Sequence, residues 1–302
     1  IPRWGGIALF FGTSVFNYTI FENYVIPWTS TLGVALLASG ILGLIWLDEV
    51  EDGKRNRITG IQIFFIATCL GLLTPTRPGD VIVGSAIGFG LLIGYWSIYR
   101  SHPKKISRPS YFFLSSFSGL IIGPLVFIGF NIVVYGAPTG GYIQFVNDYG
   151  FFFLDLPEKF ISIWLDGFTL WGEPEAGLTQ RYPWLFISLA SIPWILFYGD
   201  RSLRSVALAI IVLFLLYLPY SDLLPNGIWR FKNIHYFKWT FPFMALFAVL
   251  LVKQVFNTCR QKRGYLVPLT MLLVIPSILC SLNLAIEVKH IPTLSAGNSI
   301  IL

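Results

Sequence analysis

Residues 25–47 read VIPWTSTLGVALLASGILGLIWL, an uncharged run long enough to cross a lipid bilayer. A spanning helix needs about 20 apolar residues, because its backbone must satisfy its own hydrogen bonds in hydrocarbon. We therefore predict an all-α, polytopic membrane protein with about nine transmembrane helices, in a single domain over 1–302. The other predicted spans are 5–21, 60–76, 81–99, 110–135, 182–198, 205–220, 239–257 and 265–286.

The composition agrees with a membrane protein. Of the 302 residues, 55% are hydrophobic and only 12% are charged, whereas a soluble domain carries about 25% charged residues. The 27 Phe, 14 Tyr and 10 Trp suit lipid-facing walls and interfacial belts. Three His and three Cys without a cluster argue against a disulfide-rich fold, and we expect neither a metal site nor a cofactor.

The basic residues predict the orientation in the membrane, because cytoplasmic loops carry an excess of Lys and Arg. One set of alternate loops holds 14 of the 21 basic residues and the other set holds seven. The richer side is predicted to be cytoplasmic, which places the loop 136–181 and the C-terminus outside. The excess of basic residues thus reflects the orientation in the membrane, and we expect no nucleic-acid partner. A bacterial plasma membrane is the expected location.

The loop 136–181 contains a predicted helix over 157–170. Apolar residues at 160, 161, 164, 165 and 168 follow helical spacing, and Pro157 and Glu158 suit a first turn. We interpret it as an amphipathic helix in the outer interface. It either covers neighbouring helix ends or takes part in gripping a lipid substrate.

Two charged clusters lie at predicted outer helix ends. Arg77 occupies a tight turn, where it either pairs with Asp80 or presents a cation to a phosphate in the headgroup layer. Arg230, Lys232, His235 and Lys238 alternate with aromatic residues before a span. They either anchor the chain at the interface or stabilise charge that develops on a phosphate leaving group. The loop carboxylates Glu173 and Glu175 have positions suited to a general base, although such groups are commonly just solvated.

Four motifs together resemble the GT-C superfamily of membrane glycosyltransferases, over roughly residues 7–257. They are a Thr-Arg-Pro turn, an Asn…Gly-x-Pro helix exit, a Gly-Leu…Pro helix entry and a Tyr…Pro-Phe helix start. The residues that carry them are Thr76-Arg77-Pro78, Asn131…Gly136-Ala137-Pro138, Gly177-Leu178…Tyr182-Pro183 and His235-Tyr236…Pro242-Phe243.

The resemblance implies transfer of a sugar from a polyprenyl-phosphate donor to an acceptor on the outer side. The acceptor hydroxyl would need a carboxylate base, and the lipid tail would lie among kinked helices. The implied partners are the polyprenyl-phosphate-linked sugar and membrane lipid. The implied substrate-binding residues are Arg77, Tyr182, Arg230, Lys232, His235 and Lys238.

The chain departs from the family pattern at two points. His235 stands where many relatives have Arg, so a titratable group replaces a permanent cation. The family's essential carboxylate sits in its first outer loop, but here the predicted first outer turn is only 21–24, where Glu22 is the available acid. We expect the catalytic loop to lie upstream of Ile1 or to have been lost.

Two other functions remain open from the sequence. If the catalytic loop has been lost, the chain is an accessory or scaffold subunit with a GT-C-like body and a protein partner. A transporter or lipid flippase is the third alternative. It typically shows inverted repeats and charges near the bilayer midplane, neither of which is evident in the sequence.

Overall fold

The structure is a computed structural model, and it describes residue 7 and residues 29–106, 108–140, 150–165, 178–220 and 236–261. These residues are mostly helical, and no strand forms among them. The helices are α1 (Thr29–Glu51), α2 (Gly60–Gly71), α3 (Leu73–Thr76), α4 (Pro78–Ser101), α5 (Pro109–Tyr135), α6 (Leu156–Phe160), α7 (Leu178–Arg181), α8 (Trp184–Tyr198), α9 (Arg201–Tyr217) and α10 (Thr240–Gln261).

Four helices are long and apolar enough to cross a membrane: Thr31–Glu51, Pro78–Ser101, Pro109–Tyr135 and Thr240–Thr258. Gly60–Thr76 and Trp184–Tyr198 are shorter apolar helical segments, and α9 occupies most of the predicted span 205–220. The predicted spans 5–21 and 265–286 lie outside the described residues, apart from Ile7. The prediction of a helical membrane protein is therefore confirmed at the level of several apolar helices.

Local sequence explains where several helices begin and end. Pro78 and Pro109 stand in the first turns of α4 and α5. A backbone N–H in the first turn has no acceptor within the helix, so the missing N–H of proline costs no helical hydrogen bond. Thr59 and Gln62 form a capping box at the start of α2. Gly136 ends α5 with φ of 71°, a left-handed conformation that glycine adopts without steric cost.

The helix α4 lies at the centre of the bundle and packs against α1 on one side and α9 on the other. The helices α8 and α9 form a hairpin, and α8 also packs against α10. The helix α9 begins at Arg201, before the predicted start of the span at 205, so the link between α8 and α9 is short. The core of these contacts is apolar and fully buried, and includes Leu37, Leu44, Ile87, Leu213, Phe241 and Phe247.

The helices α2 and α5 form a pair in which glycines bring the two backbones into contact. A Cβ added to Gly123 would lie 1.8 Å from the carbonyl oxygen of Gly71, and one added to Gly71 would lie 2.5 Å from that of Leu120. Small residues at helix crossings are the usual means of close packing in membranes. The outward face of α5 is exposed along most of its length, with Phe117 at 65% and Leu125 at 59%.

The opposite end of the bundle from Arg77 is held by a polar cluster. Arg201 at the start of α9 forms ion pairs with Glu51 at 2.5 Å and Asp48 at 3.5 Å, both at the end of α1. The hydroxyl of Ser202 donates a hydrogen bond to Asp48, and that of Ser97 in α4 donates one of 3.2 Å to Glu51. These contacts join three helices at one end.

The predicted helix over 157–170 is partly present. Leu156–Phe160 is α-helical, and a π-helical turn continues it over Ile161–Leu165; residues 166–170 lie outside the described chain. Its faces differ from the predicted pattern, because Lys159 is fully buried and Ile161 is 46% exposed. The ammonium of Lys159 donates a hydrogen bond of 2.9 Å to the carbonyl oxygen of Tyr220 beyond the end of α9. Burial lowers the pKa of Lys159, although the nearby Asp155 opposes this effect.

Candidate functional site

The Arg77 turn places a cation at the junction of two helices. Arg77 lies between α3 and α4, and its backbone is extended because it precedes Pro78. This extended residue separates α3 from α4. The amide of Asp80 then donates to the carbonyl oxygen of Arg77 at 2.8 Å and closes the turn.

The guanidinium of Arg77 lies against the faces of two tyrosine rings. It is 4.7 Å from the ring centroid of Tyr217 and 4.1 Å from that of Tyr236. The rings themselves are in contact, with centroids 4.6 Å apart. Such cation–π contacts contribute about 0.5–2 kcal/mol each and fix the plane of the guanidinium. Among the described residues, no carboxylate forms an ion pair with this guanidinium.

Asp80 is buried beside this arginine, but its partner is Tyr217. The phenol of Tyr217 donates a hydrogen bond of 2.7 Å to Oδ1 of Asp80. Two glycines leave room for the pair: a Cβ on Gly79 would lie 2.8 Å from the Tyr217 hydroxyl, and one on Gly33 would lie 2.9 Å from Oδ2 of Asp80. An ion pair between Arg77 and Asp80 was one of the two interpretations of the turn. The described residues do not form it.

Lys238 supplies a second cation to the site. It is fully buried in the turn before α10, and its ammonium donates a hydrogen bond of 2.7 Å to the hydroxyl of Thr31 in α1. Burial, together with the positive charge of Arg77 nearby, lowers the pKa of Lys238 from 10.5 to about 8. The site therefore holds one permanent cation and one cation that titrates near neutral pH.

The structure brings together two of the predicted substrate-binding residues, Arg77 and Lys238. Tyr182 lies just before α8, and its ring meets the ring of Phe241 edge-on, with centroids 6.0 Å apart. The other predicted members, Arg230, Lys232 and His235, and the candidate acid Glu22, lie outside the described residues.

Three residues of the site were missed as site members by sequence reasoning: Thr31, Tyr217 and Tyr236. In the sequence, Tyr217 is only part of the end of a predicted span, and Tyr236 is only part of a motif. The sequence feature that could have identified them is their position, because both lie at predicted outer helix ends, as Arg77 does. Aromatic residues at that level are so common in membrane proteins that the position alone does not single them out.

An apolar cavity of about 440 Å³ lies between α1, α2, α4 and α5. It begins at Val81, next to Asp80, and reaches Tyr95 and Ile106 towards the other end of the bundle. Glycines on α1 and α4 widen it, and its sides include the exposed residues Phe89 and Phe113. One end of the cavity thus lies beside the Arg77 turn.

Within the described ranges, no group of His, Cys, Asp and Glu side chains is arranged to hold a metal ion. Comparison of the chain with protein-family models, with curated proteins and with solved structures gave no match.

Proposed function

We propose that the Arg77 site binds the phosphate of a polyprenyl-phosphate-linked sugar in the outer leaflet, and that the protein is a GT-C-like glycosyltransferase. The observation that carries the proposal is the fixed guanidinium of Arg77. It lies over the rings of Tyr217 and Tyr236, and it forms no ion pair with a carboxylate in the described chain. A planar, fixed array of donors is well matched to phosphate oxygens.

The second cation and the cavity add to this argument. Lys238 lies close enough to Arg77 for their charges to interact, and two cations match a phosphate better than one. The apolar cavity that begins at Val81 supplies space for the polyprenyl chain within the bundle. Arg230 and Lys232 are further phosphate donors in this proposal, on the basis of sequence position, and Tyr182 and His235 complete the substrate-binding set.

In the proposed reaction, the oxygen of an acceptor hydroxyl attacks the anomeric carbon of the sugar. A glycosidic bond forms, the bond between the anomeric carbon and the phosphate oxygen breaks, and the lipid phosphate leaves with the electron pair. Arg77 and Lys238 stabilise the charge on that phosphate. The acceptor proton passes to a carboxylate base, for which Glu22 is the proposed source in this sequence.

The proposal includes about nine spans, a bacterial plasma membrane and an extracytoplasmic C-terminus. The distribution of basic residues supports this orientation. In it, the Arg77 turn, the end of α9 and the start of α10 all lie on the outer side, as an outer-leaflet donor requires.

The test measures binding of a long-chain polyprenyl phosphate to the purified protein in nanodiscs, with the corresponding polyprenol as the control ligand. We expect Arg77→Gln to weaken phosphate-dependent binding at least tenfold, because it removes a charge-assisted contact. Arg100→Gln is the matched control, since Arg100 also lies over an aromatic ring, at 5.3 Å from that of Trp96, but at the other end of the bundle. Equal binding by both variants, or equal binding of the polyprenol, would refute the phosphate site.

A second function, a non-catalytic subunit with a GT-C-like body, is favoured by one observation. The carboxylate of the site, Asp80, is buried and accepts the Tyr217 hydroxyl, so it is not placed to act as a base towards an acceptor. Binding of the polyprenyl phosphate without sugar transfer, in the protein as it is made in its native membrane, would support this subunit role over the enzyme.

A further inference from the structure

A second cavity, of about 580 Å³, lies between α4 and the hairpin of α8 and α9. It is at the opposite end of the bundle from Arg77, and Phe89 of α4 stands between it and the apolar cavity that α1, α2, α4 and α5 enclose. Its volume falls within the range of about 300–1,000 Å³ that is typical of small-molecule sites. Its lining changes character along its length, from charged at the helix ends to apolar within the bundle.

The apolar part of this cavity extends into the membrane-spanning region. On α4 it is lined by Ala86, Phe89 and Ile93, which cover about 10 Å at 1.5 Å per residue. Leu196 of α8 and Leu208 of α9 complete the wall. Since α4 is one of the helices long enough to span a bilayer, an open apolar cleft at this depth is filled by hydrocarbon chains and excludes water.

The charged part is formed by Asp200, Arg201 and Arg204 at the start of α9. Arg201 is neutralised by its ion pairs with Asp48 and Glu51, so it does not attract a further anion strongly. Asp200 is the extended residue immediately before α9, and Arg204 lies in the first turn of that helix. They form no ion pair, either with each other or with another described residue.

Hydrogen bonds to the preceding chain hold Arg204 in place. Its Nε donates to the carbonyl oxygen of Gly199 at 2.6 Å, and its Nη2 donates to that of Phe197 at 3.1 Å. A guanidinium has five N–H donors, so three remain without a partner in the described chain. Arg204 therefore presents a fixed, unneutralised cation at the mouth of the cavity, one helical turn from the carboxylate of Asp200.

We propose that this cavity binds one zwitterionic phospholipid, with its phosphate at Arg204, its ammonium at Asp200 and an acyl chain between α4 and α9. The ligand class follows from the three parts of the site: a fixed cation, an anion one turn away, and an apolar cleft beneath them. Basic pockets between helices at membrane surfaces are established binding places for lipid headgroups. The proposal is independent of the Arg77 site and of the glycosyltransferase function.

The experiment measures the thermal stabilisation of the purified, delipidated protein by dioleoyl phosphatidylethanolamine, dioleoyl phosphatidylglycerol and glycerophosphoethanolamine. We expect phosphatidylethanolamine to raise the melting temperature more than phosphatidylglycerol does, and the chain-free glycerophosphoethanolamine to have no effect at the same concentration. Arg204→Gln should weaken the affinity for phosphatidylethanolamine about tenfold, whereas Arg100→Gln at the same end should leave it unchanged. Asp200→Asn should remove the preference for phosphatidylethanolamine.

A second pair of variants tests the apolar part without altering charge. Leu208→Trp should fill the cleft and weaken binding of phosphatidylethanolamine, whereas Leu215→Trp, at an exposed position of the same helix, should not. Equal affinity in Arg204→Gln and Arg100→Gln would overturn the proposal. So would equal affinity in the two tryptophan variants, equal protection by glycerophosphoethanolamine, or preference for phosphatidylglycerol.

Discussion

Tyr217 and Asp80 join α9 to α4 across 137 residues of sequence, through a hydrogen bond of 2.7 Å from the phenol to the carboxylate. The same tyrosine ring lies under the guanidinium of Arg77. One residue therefore donates a hydrogen bond to the buried acid and also provides a ring face for the half-buried guanidinium of Arg77.

The Tyr217–Asp80 bond predicts a stability difference between two tyrosine variants. Tyr217→Phe keeps the ring but leaves the buried Asp80 carboxylate without this donor, which should lower the free energy of unfolding by about 1–3 kcal/mol. Tyr198→Phe is the control, because Tyr198 is 75% exposed. Denaturation in mixed micelles, followed by circular dichroism, measures both. Similar unfolding curves for the two variants would contradict the assigned role of the bond.

The glycine contact between α2 and α5 predicts a strong position dependence for alanine substitutions. Gly123→Ala places a Cβ against the carbonyl of Gly71 and forces the helices apart, at a cost of about 1–3 kcal/mol or more. At Gly129, two turns along the same helix, a Cβ meets nothing within 4 Å, so Gly129→Ala should be tolerated or slightly stabilising. Melting temperatures in detergent distinguish the two, and equal values would show that the helices do not touch there.

The lowered pKa of Lys238 predicts two opposite effects of pH. Between about pH 8 and pH 10.5 the unfolded chain holds a proton on Lys238 that the folded chain has released, so this residue makes stability rise with pH in that window. Affinity for polyprenyl phosphate should instead fall as pH rises through about 8, because the second cation is lost while Arg77 stays charged.

Lys238→Met is the control for both effects. It should bind polyprenyl phosphate more weakly than the wild type at pH 7, and its affinity should not change as pH passes 8. Binding and unfolding titrations from pH 7 to pH 10 provide the measurement. A pH-dependent loss of binding that persists in the variant would assign the titration to another group.

The ion pairs of Arg201 predict a larger effect than an exposed pair of similar geometry. Arg201→Gln leaves Asp48 and Glu51 without their cation, and because these groups are partly buried the loss should be about 1–3 kcal/mol. Lys54→Gln removes an exposed pair with Asp52 at 2.6 Å and should have the smaller effect, because solvent screens that pair. Raising the salt concentration should reduce only the smaller effect markedly.

How far the sequence predicted the structure depends on the range of the interaction. The apolar runs predicted helix positions well, since length and hydropathy are local properties, and α1, α4 and α5 lie close to the predicted ranges. Arg77 was identified because its turn is local too. Its partners were not, because Tyr217 and Tyr236 reach it only through tertiary packing.

The buried Lys159 shows where periodicity misleads. The predicted apolar positions, 160, 161, 164, 165 and 168, do not include this lysine, yet it is fully buried, and the carbonyl of Tyr220 accepts its hydrogen bond. That acceptor comes from a segment 61 residues away. A helical pattern reports which side chains are apolar, and it does not report which polar groups find a partner after folding.

The polar contacts at both ends of α1, α4 and α9 have a mechanical consequence. At one end Asp80 of α4 accepts a hydrogen bond from Tyr217 of α9 and lies close to Gly33 of α1, and at the other end Arg201 of α9 forms ion pairs with Asp48 and Glu51 of α1. A slip of one helical turn, about 5.4 Å, would break both sets at once. We expect α1, α4 and α9 to keep a fixed register and to move as one rigid body. Any widening of the apolar cavity between α1, α2, α4 and α5 must then come from a joint movement of α2 and α5.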